Sequence, residues 1–454
     1  MSTRTGVTDL PPKLLDQIFR KFHDEKHTLS NVCLVCKAWM RSARPVLFSE
    51  VTVSCGADEV QGDDEDPTPD WMAVARAFRA MPDVVAFVKT LHISGEQLPP
   101  SKDWLDSIEF DPNAEVKGRP GSGTVWTHCA PVDLASLLAI AQLFPNLNWL
   151  SVQMLVIIPS PLPKDYEPVR FNFLQLDDSG TIQGENPFIV LRVFRPAKLD
   201  LDMFYRPGPK TDEPALFKLE PVMTTREWRI RGDPNSAPMI RGLAASSEGR
   251  VAYLSLDIQG RADLEALQES LDKFGPGDFG PGLKKLALDF WDSTSTDFRP
   301  EIILSPQVED YWREVFSLET CHGLEAFEVT MKLGITESSC SHLQEIIRVL
   351  STAPTTLRSV RFLFDFMYYE EEDVGEMQWK NIATALPLTK YDKLEKVQFT
   401  FIDDDDDLDE DQRNFMKDVI VSQLPELAYQ LQFEFITFDT GPMAWETGPE
   451  FAPA

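Results

Sequence analysis

The stretch "LRSVRFLF", Leu357 to Phe364, sets three apolar side chains, Leu357, Val360 and Phe362, in the order apolar, two others, apolar, one other, apolar. Its period-two ending is that of a strand with one buried face. The same signature occurs upstream as Phe48, Val51, Val53; Val88, Leu91, Ile93; Leu147, Leu150, Val152; Phe188, Leu191, Val193; and, more weakly, Thr225, Trp228, Ile230. It continues as Val251, Leu254, Leu256; Leu283, Leu286, Leu288; Leu324, Phe327, Val329; and, downstream of the quoted stretch, Leu394, Val397, Phe399. A last segment, "LQFEFITF", keeps the alternation without the leading residue.

Amphipathic segments with helical periodicity separate these strands: "DLASLLAIAQLF", "ADLEALQESLDKF", "SHLQEIIRVL" and "QRNFMKDVIVSQL". Strand and helix therefore alternate, which predicts an α/β fold. The strand signature resembles that of leucine-rich repeats. From Leu254 the middle anchors fall at Leu286, Phe327, Val360 and Val397, steps of 32, 41, 33 and 37 residues. Regular leucine-rich repeats span roughly 20 to 29 residues. The resemblance implies a degenerate leucine-rich-repeat-like solenoid over residues 51–438, with full helices and variable loops lengthening each unit. A doubly wound α/β domain also alternates strand and helix, but it needs glycine-rich turns. "HISGEQL", "LDFWDST" and "TFIDDDD", which follow predicted strands, are not phosphate-cradling loops. Residues 55–70 and 402–411 read as acidic loops, residues 95–131 and "PSPLPKDYEP" as edge excursions, and residues 439–454 as a loosely packed tail.

Near the N-terminus, "DLPPKLLDQIFRKF" (Asp9 to Phe22) repeats apolar residues every four positions at Leu14, Ile18 and Phe22, with Leu15 and Phe19 beside them. This predicts a helix of about three turns with Pro11 and Pro12 in its first turn. A second helix is expected to start near Ser30 as N-cap and to carry Val32, Val35, Cys36 and Trp39, followed by a short segment ending at Pro45 to Phe48. Forty residues cannot bury so many large side chains among themselves, so a partner should complete the knot. "LPPKLLDQIF" followed by "LSNVCLVCKAWMRSARPVLF" resembles an F-box, over about residues 9–48 of a domain placed at 1–50. The resemblance implies docking to the small Skp-type adaptor of SCF ubiquitin ligases, and through it to a cullin-RING ligase. By position it assigns the contact to Leu10, Pro11, Leu14, Leu15, Ile18, Val35, Cys36 and Trp39. The sequence departs from the family at Pro12-Lys13, where a Glu often precedes the leucine pair.

Charge points the same way. The chain holds 43 Lys and Arg against 73 Asp and Glu, a net charge of −30. Residues 1–48 nonetheless carry eight basic side chains and four acidic ones, a net of +4 that leaves −34 on the remainder. A basic plug would be steered toward an acidic adaptor while the body is repelled. The same acidity argues against nucleic acid as a partner. In the leucine-rich-repeat pattern, residues between anchors point to the open side, and here they include Arg192, Arg229 and Arg231, with Arg195 and Arg226 alongside. Such a row suits an acidic or phosphorylated protein segment; the stronger competing reading pairs these arginines with the chain's own carboxylates.

Enzymatic signatures are missing from the sequence. His23, His27, His92, His128, His322 and His342 never fall in a HExxH pattern, and neither a G-x-S-x-G nor a Walker sequence occurs. No cofactor is expected. Cys33 and Cys36, with His23 and His27 nearby, lie in an apolar helical run with no second cysteine pair, so they read as core thiols rather than zinc ligands. "DDDDDLDED" lacks the Gly and Glu that an EF-hand needs, so no metal is expected there either. Six scattered cysteines, no apolar run of membrane-spanning length and no glycosylation sequon predict a soluble protein of the cytoplasm or nucleus, not one embedded in a membrane. The expected function is substrate recognition for an SCF ubiquitin ligase; the alternative is an interaction scaffold that binds the adaptor without directing ubiquitination.

Overall fold

The computed structural model describes residues 10–54, 71–95, 129–181, 186, 188–204, 225–232, 236–246, 251–258, 261–272, 282–290, 316–333, 337–366, 374–375, 377–403 and 408–437. The chain divides into two compact units, Met1–Thr211 and Asp212–Ala454. This division falls inside the predicted 51–438 body, and the N-terminal knot belongs to the first unit. The acidic segment 55–70, most of the 95–131 excursion and the 439–454 tail lie outside the described residues.

The first unit opens with three helices, α1 (Pro12–Arg20), α2 (Lys26–Val35) and α3 (Lys37–Leu47), followed by β1 (Glu50–Ser54), α4 (Trp71–Arg79), α5 (Pro82–Val85) and β2 (Thr90–Ser94). Then come β3 (Ala130–Asp133), α6 (Leu134–Ala141), β4 (Trp149–Gln153), β5 (Leu155–Ile158), β6 (Val169–Thr181), a 3-10 turn (Ile189–Arg192) and β7 (Phe194–Phe204). The second unit runs β8 (Glu227–Gly232), α7 (Ser236–Ser246), β9 (Tyr253–Asp257), α8 (Arg261–Asp272), β10 (Lys285–Asp289), β11 (Ala326–Leu333) and α9 (Glu337–Ser351). It ends with β12 (Ser359–Phe366), α10 (Lys380–Ala385), β13 (Lys396–Asp403), α11 (Glu410–Gln423) and β14 (Leu431–Thr437). The fold is mixed α/β, and every strand pairing described within either unit is parallel.

In the second unit the strands lie side by side in sequence order, and the sequence anchors align in register. Trp228, Leu254, Leu286, Phe327, Val360, Val397 and Leu431 form one row across the strands; Ile230, Leu256, Leu288, Val329, Phe362, Phe399 and Phe433 form the next. Apart from the two on β14, these side chains are buried, as are the leading residues Val251, Leu283, Leu324, Leu357 and Leu394. Each contributes about 1.5–3 kcal/mol by leaving water, which is why alternation decides the strand face. Phe362, Phe399 and Phe433 stack at 5.4 and 5.6 Å, and Trp379 meets both Phe364 and Phe399 edge-on at 5.6 Å.

In the first unit the order is β1-β2-β4-β6-β7, with β5 joining β3 to β6 beside that path. Val51, Leu91, Leu150, Leu174 and Leu199 make one row, and Val53, Ile93, Val152, Leu176 and Leu201 the other. Phe188, Leu191 and Val193 do not form the strand their spacing predicts. Ile189, Val190 and Leu191 are all buried in the 3-10 turn, so this run has no solvent face and no alternation. The strand signature is instead supplied by Phe171, Leu174 and Leu176 on β6, and by Leu199 and Leu201 on β7.

Two further expectations shift. The second helix starts at Lys26, not Ser30, and Cys36 is extended (φ −161°, ψ 167°), which separates α2 from α3 and puts Trp39 on α3. The short segment expected to end at Pro45 to Phe48 is the C-terminal part of α3, with Pro45 inside the helix. Of the acidic segment 402–411, residues 404–407 lie outside the described residues, and its two ends belong to β13 and α11. Asp409 caps α11 in a reciprocal capping box with Gln412, and Glu410 and Asp411 fill the first turn, where carboxylates complement the helix dipole.

Candidate functional site

The N-terminal knot has a small core. Leu15, Phe19, Leu29 and Ala43 are buried, and Leu10, Phe22, Val32, Cys33, Trp39, Val46 and Leu47 close around them. The Trp39 ring meets Phe19 edge-on at 5.7 Å, while its Nε1 is buried with no hydrogen-bond partner. Burial pushes the Cys33 thiol up, against a smaller opposing pull from the Arg44 charge. Outside this core, Leu14 (45% exposed) and Ile18 (41%) stand one turn apart on α1, and Leu34 (83%) and Val35 (56%) end α2. Four large apolar side chains in so short a segment therefore face water.

The eight positions that the F-box resemblance assigns to adaptor contact divide by environment. Pro11, Leu14, Ile18 and Val35 face outward; Leu10, Cys36 and Trp39 are half-buried; Leu15 points into the core. Leu34, the most exposed of the large apolar groups in the knot, is not among the positions the F-box resemblance assigns. Helical phase carries the signal that would have found it: Leu29, Val32 and Cys33 make the inward stripe of α2, and Leu34 falls off it. Glu50 at the start of β1 ties the knot to the strands, receiving Lys26 Nζ at 3.7 Å and His92 Nε2 at 3.3 Å.

On the second unit the residues between anchors form a charged ladder. Arg229, Ser255, Ala287, Glu328, Arg361 and Gln398 align in register. Glu328 takes Lys285 at 3.3 Å and Arg361 at 3.7 Å, and Arg361 also reaches Glu434 at 3.1 Å and donates to Thr400 Oγ1 at 3.0 Å. Lys285 sits over the Tyr253 ring at 4.7 Å. Burial, then the carboxylate of Glu328, raises the Tyr253 phenol. Burial, then the Arg361 charge, lowers the Lys396 ammonium.

The structure places the three candidate substrate arginines differently. Arg229 is buried and Arg231 half-buried, both on β8 two residues apart and so on one face; each is already engaged within the chain. Arg192 is exposed at the end of the 3-10 turn, not on a strand, and its carbonyl accepts the Tyr166 hydroxyl at 3.2 Å. Arg192 belongs to the first unit and the other two to the second. Arg195 is half-buried and donates to the Phe194 carbonyl at 3.0 Å, with burial as the main cause lowering its pKa.

Among the described residues no group of three His, Cys, Asp or Glu side chains could hold a metal ion, and no helix is long and apolar enough to cross a membrane. No protein-family model matches the chain, and no curated protein matches it in sequence.

Proposed function

We propose that this protein is the substrate-recognition subunit of an SCF ubiquitin ligase, with the knot docking to a Skp-type adaptor and the strand-and-helix body receiving a target protein. The observation that carries the reading is the set of exposed apolar side chains Leu14, Ile18, Leu34 and Val35 on a knot whose sequence resembles an F-box. Leaving such groups in water forgoes burial that a partner surface would supply. The body is read as a degenerate leucine-rich-repeat-like solenoid. Strict sequence order of β8 to β14 supports this, because right-handed parallel crossovers between successive neighbours put their connections on one face. A doubly wound sheet would reverse its strand order instead.

The mechanism is proximity. A captured protein held beside a ubiquitin-loaded enzyme meets it at high effective concentration, so the chain itself needs no reacting group. Co-purification with a purified Skp-type adaptor tests the reading. The wild-type chain should form a stoichiometric complex that Leu14→Asp with Ile18→Asp abolishes while thermal unfolding is unchanged. No complex with the wild-type chain refutes the docking role. Complex formation without cullin recruitment would favour the scaffold alternative.

A further inference from the structure

Among the described pairings, strand β14 bonds to β13 and to no other strand. The Gln430 carbonyl accepts Val397 N at 2.8 Å, so the even-numbered peptide groups turn toward β13 and those of Leu431, Phe433 and Phe435 turn outward. The side chains are left incomplete at the same edge. Phe362, Phe364, Phe399 and Phe401 are fully buried, whereas Phe433 and Phe435, the last rings of their two stacks, are half-exposed, as is Leu431. Arg413 and Lys417 of α11 lie over the Phe435 ring at 5.7 and 5.1 Å. Phe433 meets Phe399, and among the described residues no second ring and no cation covers it. No proline, lysine or bulge guards the strand against pairing.

The strand is complementary to itself. Antiparallel pairing of two copies about a two-fold axis at Phe433 sets Leu431 opposite Phe435 of the second copy, Gln432 opposite Glu434, and Phe433 opposite its own copy. Opposed residues share a face, so apolar meets apolar and amide meets carboxylate. The outward peptide groups of Leu431, Phe433 and Phe435 all become hydrogen-bonded pairs in this register. On the polar face both partners are available. Gln432 is exposed and makes no side-chain hydrogen bond among the described residues. Glu434 is 44% exposed and takes Arg361, Gln398 and Thr400 all on Oε2, so Oε1 is left to accept the amide. A register centred on Glu434 would set that carboxylate against its own copy, and like charges directly opposite repel.

We infer that the β14 edge is a homodimer interface, at which a second copy of this chain continues the sheet of the second unit by antiparallel pairing centred on Phe433. The net charge of −30 opposes the approach of two copies and only short-range pairing offsets it, so the dimer tightens as salt rises. Sedimentation velocity of the full-length chain over about a hundredfold range of concentration, at low and high salt, tests it without any adaptor. A monomer–dimer equilibrium should shift toward dimer with both. Hydrogen exchange on the same samples locates the contact: Leu431 to Thr437 should exchange freely in dilute protein and become protected as dimer forms. Gln432→Glu, which sets two like-charge pairs across the axis, should weaken the dimer about tenfold, and Gln432→Lys should tighten it, with the Tm of dilute protein unchanged in both. A monomer at every concentration, or a dimer whose protection falls on other residues, overturns the proposal. So does protection of residues 431–437 that is independent of concentration, which would mean that the chain's own residues cover the edge. Dimerisation indifferent to both substitutions overturns it as well.

Discussion

Leu14 and Leu15 are sequence neighbours with opposite environments: Leu15 is 2% exposed in the knot core, and Leu14 is 45% exposed on the surface of α1. Leu15→Ala should therefore cost about 2–5 kcal/mol by leaving a cavity. Urea unfolding followed by circular dichroism reads the change. Leu14→Ala should fall within about 0.5 kcal/mol of wild type in the same experiment. Equal losses at both positions would contradict the core described for the knot.

Arg361 bridges Glu328 and Glu434 while contacting Thr400. Its replacement by Ala leaves the buried Glu328 with Lys285 alone, and a loss of about 1–3 kcal/mol is expected. The loss should persist in about 0.5 M salt if burial sets it, since screening acts mainly on exposed pairs. Chemical denaturation at two salt concentrations decides.

Gly95 is required by a close approach. A Cβ built there would lie 2.5 Å from the Met154 carbonyl oxygen and 2.8 Å from Ala130 Cβ. The facing backbone bends at this point, with Met154 at φ 53°. Gly95→Ala should destabilise the first unit by about 1–3 kcal/mol through forced backbone displacement. A variant as stable as wild type would remove the close approach.

Burial holds the Cys129 thiol at about 11, with the Asp178 charge adding to it, and burial holds Cys321 at about 12. Both folded values lie above the unfolded thiol, so the stability they contribute is complete below about pH 8.5. It is lost as pH rises toward 11–12, because the unfolded chain releases its protons first. Unfolding free energy should fall from about pH 8.5 up to the folded value of about 11 at Cys129, and Cys129→Ala should make that fall shallower.

The strands of the second unit are legible in the sequence because each buries alternate residues, and Leu254, Leu286, Phe327, Val360 and Val397 fall in one register. Phe188 to Val193 misleads, because an apolar run there satisfies the same spacing without being a strand. Phe171, Leu174 and Leu176 on β6 carry the signature in full. In the knot, the apolar content is legible in the sequence but the inward and outward faces are not, so the positions assigned by the F-box resemblance include both the buried Leu15 and the exposed Leu14.

Each interior strand of the second unit, β9 to β13, hydrogen-bonds to its immediate predecessor and successor in sequence. Among the described pairings β14 pairs with β13 and with no other strand. Amide protons should therefore exchange fastest at Leu431 to Thr437 and progressively more slowly inward, so that loss of structure spreads from one strand to the next instead of occurring everywhere at once.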